Sequence, residues 1–131
     1  MDYENIKDRI LSRIKILGFF DFDILDISEG RIKIRVYHKE FMEREGGIVF
    51  GGIISMFFDF VMGAAVYTVN DKKDQATINL NIEFIRKARS EYYIFIGEVI
   101  KKGRNIVFAE GKMLDDKNSI LAKSYGIWFI Y

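Results

Sequence analysis

The sequence predicts an α+β domain in which one long apolar helix is wrapped by a curved antiparallel sheet. Two observations carry this prediction. Residues 53–69 are apolar on nearly every side of a helix, so another layer must cover most of that surface. From residue 77 onward, apolar and polar side chains alternate in four segments joined by short polar connections, which reads as hairpins in a meander.

The elements follow in order. Tyr3, Ile6, Ile10, Ile14 and Leu17 recur at spacings of three and four, giving one apolar face of a helix over 3–17 that Gly18 ends. "DILDIS" and "RIKIRVYH" are two strands about the turn Ser28-Glu29-Gly30, with Ile32, Ile34 and Val36 on the buried face. A charged stretch, Lys39 to Glu45, leads into "GGIVFGG" and the long helix, which "NDKKD" closes. Ile78, Leu80, Ile82 and Phe84 then alternate with Thr77, Asn79, Asn81 and Glu83. "EYYIFIGEVIK", "NIVFAEGKML" and "ILAKSYGIWFIY" complete the sheet, separated by "KGR" and "DDKNS". The reading is a single domain over 1–131, without repeat, linker or low-complexity segment.

Composition narrows the function. Of 131 residues half are apolar and 15% aromatic, which excludes disorder and allows a substantial core. Twenty basic and nineteen acidic side chains nearly cancel, and no basic stripe interleaved with aromatics appears, so no nucleic-acid partner is expected. Without Cys and with one His, disulfide scaffolds, thiol nucleophiles and most zinc sites are excluded, and neither metal nor cofactor is expected. "MDYENIKDRILSRIK" is charged throughout and does not read as a signal peptide, so the expected location is cytoplasmic. Residues 46–69 are long enough to span a bilayer, but Asp59 would lie near its midplane at about 3 kcal/mol. A buried core helix is the better reading, with no membrane partner.

Asp59 poses the chemical question. It sits between Phe58 and Phe60 in the most apolar segment of the chain. Desolvating an unpaired carboxylate costs several kcal/mol, so an acid there is paired, exposed or used. Gly51 and Gly52 stand about two turns earlier, some 11 Å by axial rise, where the orphan N–H groups of a helix start converge on an incoming anion.

"REGGIVFGGIISMFFD" resembles a motif of the hotdog-fold acyl-CoA thioesterases of the phenylacetate (PaaI-like) group. That motif is roughly Asn-x-x-Gly-x-x-His-Gly-Gly with an acid seven residues later, and Gly47, Gly51, Gly52 and Asp59 match it. "TINLNIEFIRKA" is similar to the strand that follows the family's helix, opening with Thr77, and "VIKKGRNIVFAEGKMLDDKNSILAKSYG" to its terminal strands. Phe50 and Arg44 stand where the family has His and Asn, next to the expected thioester channel, which implies slow turnover.

The resemblance implies hydrolysis of an acyl-CoA to a free acid and coenzyme A. Asp59 would act as general base or as nucleophile, and the Gly51 and Gly52 N–H groups would form the oxyanion hole. Thr77 would orient the water, and Phe58, with Phe57, Phe60 and Met62, would supply apolar wall. Arg86, Lys87, Lys102 and Arg104 are candidates for the coenzyme A phosphates. His38 reads as a surface residue, too far before the helix to serve hydratase chemistry. Family members pair their sheets and build each site from two chains, so a homodimer or a homotetramer (a dimer of dimers) is implied. The alternative is a hotdog protein that binds acyl-CoA or a related ligand without turning it over.

Overall fold

A computed structural model describes residues 5–131, so Tyr3 lies outside the described residues. Helix α1 (Ile6–Arg13) is shorter than the periodicity predicts. The chain leaves helical geometry at Ile14 and continues as a 3-10 turn, Lys15–Phe19, which contains Gly18 and drives Leu17 fully into the core. Strands β1 (Phe22–Ser28) and β2 (Arg31–Tyr37) follow as a hairpin, with Gly30 at φ 78°, a value that favours glycine. Ile32, Ile34 and Val36 are fully buried, as their alternation predicts.

A two-residue ribbon, β3 (Glu43–Arg44) with β4 (Ile48–Val49), turns through Gly46 and Gly47 at positive φ and delivers the chain to helix α2 (Gly51–Val69). The remaining strands are β5 (Gln75–Phe84), β6 (Tyr92–Lys102), β7 (Ile106–Leu114) and β8 (Ile120–Ile130). The large sheet has the order β1-β2-β6-β7-β8-β5 and every pairing is antiparallel. Register shifts in β1–β2, β6–β7 and β5–β8 bend it around α2, because a bulged strand kinks and twists more strongly. By length and composition α2 could cross a membrane. Here its apolar surface lies on the sheet, with Phe57, Phe58, Val61, Met62, Ala65 and Val66 fully buried. Each large side chain so covered contributes about 1.5–3 kcal/mol.

What lets α2 lie so close is a cross-strand glycine pair, Gly97 on β6 opposite Gly111 on β7. A Cβ on Gly97 would stand 2.4 Å from the Val61 carbonyl oxygen, and one on Gly111 2.9 Å from the Phe58 ring. Backbone cannot give way as a side chain can. We expect Gly97→Ala to lower stability by about 2–3 kcal/mol, at the upper end of overpacking penalties. Gly18→Ala, with nothing within 4 Å of its new methyl, should stay within about 0.5 kcal/mol of the parent. Thermal unfolding of both variants checks this; equal midpoints would show that α2 does not rest on that pair.

Candidate active site

Asp59 is exposed, although its sequence neighbours are Phe58 and Phe60. A helix turns each successive residue by about 100°, so Phe58 and Phe60 reach the core while Asp59 turns toward solvent and the β5 edge of the sheet. Its Oδ1 accepts a hydrogen bond from Thr77 Oγ1 at 2.7 Å. The acid is therefore paired and solvated, and it lies in the wall of a cavity of about 420 Å³. That cavity runs between α1 and α2, with Met56, Phe60, Gly63, Ala64 and Tyr67 on the Asp59 face of α2 and Ile10 and Ile14 across from them.

Thr77 reaches Asp59 only because β5 is bulged. Its pairing with β8 shifts between Thr77 and Asn79, leaving Ile78 without a partner. A one-residue insertion exchanges the two faces of a strand. Gln75 and Thr77 thus face α2 before the bulge, and Leu80 and Ile82 pack on the core after it. The simple alternation that set Ile78 with Leu80 and Ile82 is corrected here: Ile78 is 56% exposed.

The start of α2 carries the second half of the expected chemistry. Phe50 occupies the N-cap position in extended geometry and offers no side-chain cap. Its carbonyl accepts from the Ile53 and Ile54 N–H groups. Among the described residues no acceptor meets the Gly51 or Gly52 N–H, so two orphan donors stand at the helix start. The Phe50 ring, 56% exposed, folds over Gly52, where a Cβ would meet it at 2.6 Å. Gly51 faces the Phe84 ring at ordinary contact distance.

Several expected site residues fall elsewhere. Phe58 is fully buried and packs edge-on against Phe95, so it is core rather than channel wall. The same holds for Phe57 and Met62, while Phe60 does line the cavity. Arg44 turns its guanidinium onto the Glu45 carbonyl at 2.7 Å, closing its own turn. Arg86 and Lys87 lie exposed between Phe84, which touches Gly51, and Ala88, whose carbonyl accepts from Val49 N–H; both flank the α2 start. Lys102 pairs with Asp71 at 3.1 Å just past the other end of α2, and Arg104 lies in the adjoining turn. A helix length of about 28 Å separates the two basic pairs, so the fold does not bring them together.

His38 is not a free surface residue. Its side chain is 19% exposed, with Nε2 2.6 Å from Glu43 and Nδ1 2.7 Å from the Tyr93 hydroxyl. Burial pushes the Tyr93 phenol above its usual range. Sequence reasoning also missed Met56, Gly63, Tyr67, Gln75 and Trp128 around the cavity. Steps of three and four from Asp59 reach Met56, Gly63 and Tyr67, so the helical period held that signal. Nothing local marked Gln75 or Trp128.

An apolar helix wrapped by a curved six-stranded antiparallel sheet is the architecture of the hotdog fold. The chain belongs to the thioesterase superfamily, whose family model matches residues 46–122, and its chemistry is the hydrolysis of a thioester or ester. It is 34% identical over 130 residues to a Thermoplasma acidophilum protein provisionally named an esterase, covering 99% of this chain and 98% of that one. Among solved structures it is similar to a thioesterase family protein from Silicibacter pomeroyi, with TM-score 0.88, 18% identity and coverage of 98% and 97% of the two chains. It is also similar to a phenylacetic acid degradation-related protein from Ralstonia eutropha, with TM-score 0.81, 20% identity and coverage of 88% and 89%. A third likeness, to a Streptococcus mutans protein bound to acetyl CoA, has TM-score 0.79, 16% identity and coverage of 85% and 89%.

Proposed function

We propose that the protein is an acyl-CoA thioesterase whose working site is assembled from two copies of the chain. The observation that carries this reading is the Thr77–Asp59 hydrogen bond beside a cavity large enough for an acyl group. Asp59 removes a proton from water, or attacks the thioester carbonyl directly, with Thr77 fixing the carboxylate rotamer. The oxyanion that forms takes the Gly51 and Gly52 N–H groups, donors already aimed and without an acceptor to give up. Arg86 and Lys87, beside that helix start, suit the phosphates of coenzyme A. The acetyl CoA held by the Streptococcus mutans protein supports a ligand of this type.

Two copies are required by distance. Along one helix the glycine donors and Asp59 are about 11 Å apart, too far to touch one carbonyl. The β5 edge supports the pairing: among the described residues it bonds only β8, and Ile78 and Phe84 along it, with Ile85 just beyond, are at least half exposed. Purified protein should hydrolyse members of an acyl-CoA panel faster than matched oxygen esters, with release of free thiol. Light scattering should report at least a dimer. A monomer at micromolar concentration, or no thiol release above background from any member, overturns this reading.

A further inference from the structure

The geometry points to an acyl group that carries a hydroxyl or keto oxygen about one helical turn beyond the reacting carbonyl, received by Trp128 and Gln75. The inference rests on the thioesterase reading above and adds a substrate class to it. It starts from Gly63, a glycine inside a helix, where an alanine would be more favourable by about 1 kcal/mol. Its missing side chain leaves a niche in the cavity wall, and two nitrogens face the position a Cβ would take: Trp128 Nε1 at 3.4 Å and Gln75 Nε2 at 3.8 Å.

Both nitrogens are donors, and among the described residues the Gly63 carbonyl, which takes one Gln75 N–H, is the acceptor they meet. Gln75 is fixed by its own amide: Nε2 donates to the Gly63 carbonyl at 2.8 Å, and Oε1 accepts from Asn70 Nδ2 at 3.2 Å. This orients the amide and leaves its second N–H free of any described acceptor. Trp128 is 1% exposed, yet its indole N–H donates to no described residue. Arg35 Nε is the one sealed and unpaired side-chain nitrogen among the described residues, so the indole nitrogen is not sealed; it opens on the cavity that Trp128 lines. A buried indole N–H ordinarily finds a partner. A ligand oxygen is not bonded to Gly63, so it stands about 1.5 Å or more beyond the position a Cβ would take, in the cavity where the two donors are to receive it.

Position along the acyl group follows from the helix. Gly63 is one turn beyond Asp59, a rise of about 6 Å between their Cα atoms; since carbonyl and oxygen are each reached across a contact distance, an oxygen roughly three to five bonds past the carbonyl falls within range. Apolar Met56, Phe60 and Ala64 hold the carbon chain. A 3-hydroxyacyl or 3-ketoacyl thioester fits this spacing. An unsubstituted chain leaves both donors unpaired, and sites built to bond a substrate oxygen reject analogues that lack it.

The test compares 3-hydroxybutyryl-CoA with butyryl-CoA as a ratio of kcat/KM. The parent should favour the hydroxylated chain at least tenfold. Trp128→Phe keeps a ring without the N–H, and Gly63→Ala fills the niche while favouring helix; each should bring the ratio down about tenfold. A parent ratio near one, or a ratio that neither variant moves, overturns the inference and leaves the thioesterase reading standing. A second readout does not need turnover, because Trp128 is the single tryptophan of the chain. In Asp59→Asn protein, 3-hydroxybutyryl-CoA should shift its fluorescence to longer wavelength and butyryl-CoA should not. Identical responses to the two thioesters overturn the inference even where hydrolysis fails altogether.

Discussion

Asp59→Asn should lower kcat on the best acyl-CoA by about 10²–10⁴ while leaving the fold and the assembly intact. The substitution is close to isosteric, and the amide oxygen can still accept from Thr77 Oγ1, so the side chain keeps its position at the cavity. What disappears is the carboxylate's ability to take a proton or to form an anhydride. The side chain is exposed and belongs to no ion pair among the described residues, so stability should stay within about 0.5 kcal/mol of the parent. Steady-state kinetics with a thermal melt separates the two effects. Turnover at the parental rate would falsify the role given to Asp59, whatever the substrate.

Gly51→Pro should remove the oxyanion donor without unfolding the helix that carries it. Proline is favoured at the first helical position, because the N–H it lacks has no partner inside the helix. Gly51 is that residue, and its N–H meets no described acceptor. The residue before a proline must be extended, and Phe50 already is, at φ −62° and ψ 134°. Added carbon at Cβ would meet the Phe84 ring at 3.5 Å, an ordinary contact. Stability should therefore hold or rise slightly, since proline also restricts the unfolded chain. Loss of one such donor typically costs about 10²–10³ in kcat, with KM little changed.

The two variants together test whether the site spans two chains. In mixed dimers of Asp59→Asn and Gly51→Pro chains, one site combines both defects and the other has neither. Refolding an equal mixture should return about a quarter of the parental activity, as half the dimers are mixed and each holds one intact site. No recovery, with mixed dimers verified by mass, would place Asp59 and Gly51 in the service of one chain's site.

Much of this was legible in the residues. The apolar run of 53–69 called for cover on nearly all sides, and the alternating strands that follow it offered the apolar faces to supply that cover. The motif around Gly51, Gly52 and Asp59 located the helix start and the acid that the structure then places. Strand alternation assigned the buried faces of β2, where Ile32, Ile34 and Val36 point inward without interruption.

Tertiary structure alone decided the rest. Phe58 could be read as channel wall because a helix apolar on nearly all sides does not say which side meets the sheet; packing on Phe95 made it core. The Gly97–Gly111 pair carries no local signal, since what it permits is the approach of a helix distant in sequence. The bulge at Ile78 is the sharpest instance. A strand's side chains alternate with period two, and a single unpaired residue exchanges the faces of everything beyond it. From the sequence, Thr77 belonged to the face opposite Leu80 and Ile82; in the fold it joins theirs and bonds Asp59. Local preference fixed the elements, while the register between β5 and β8, a matter of pairing across 44 positions such as Asn81 to Tyr125, aimed the site.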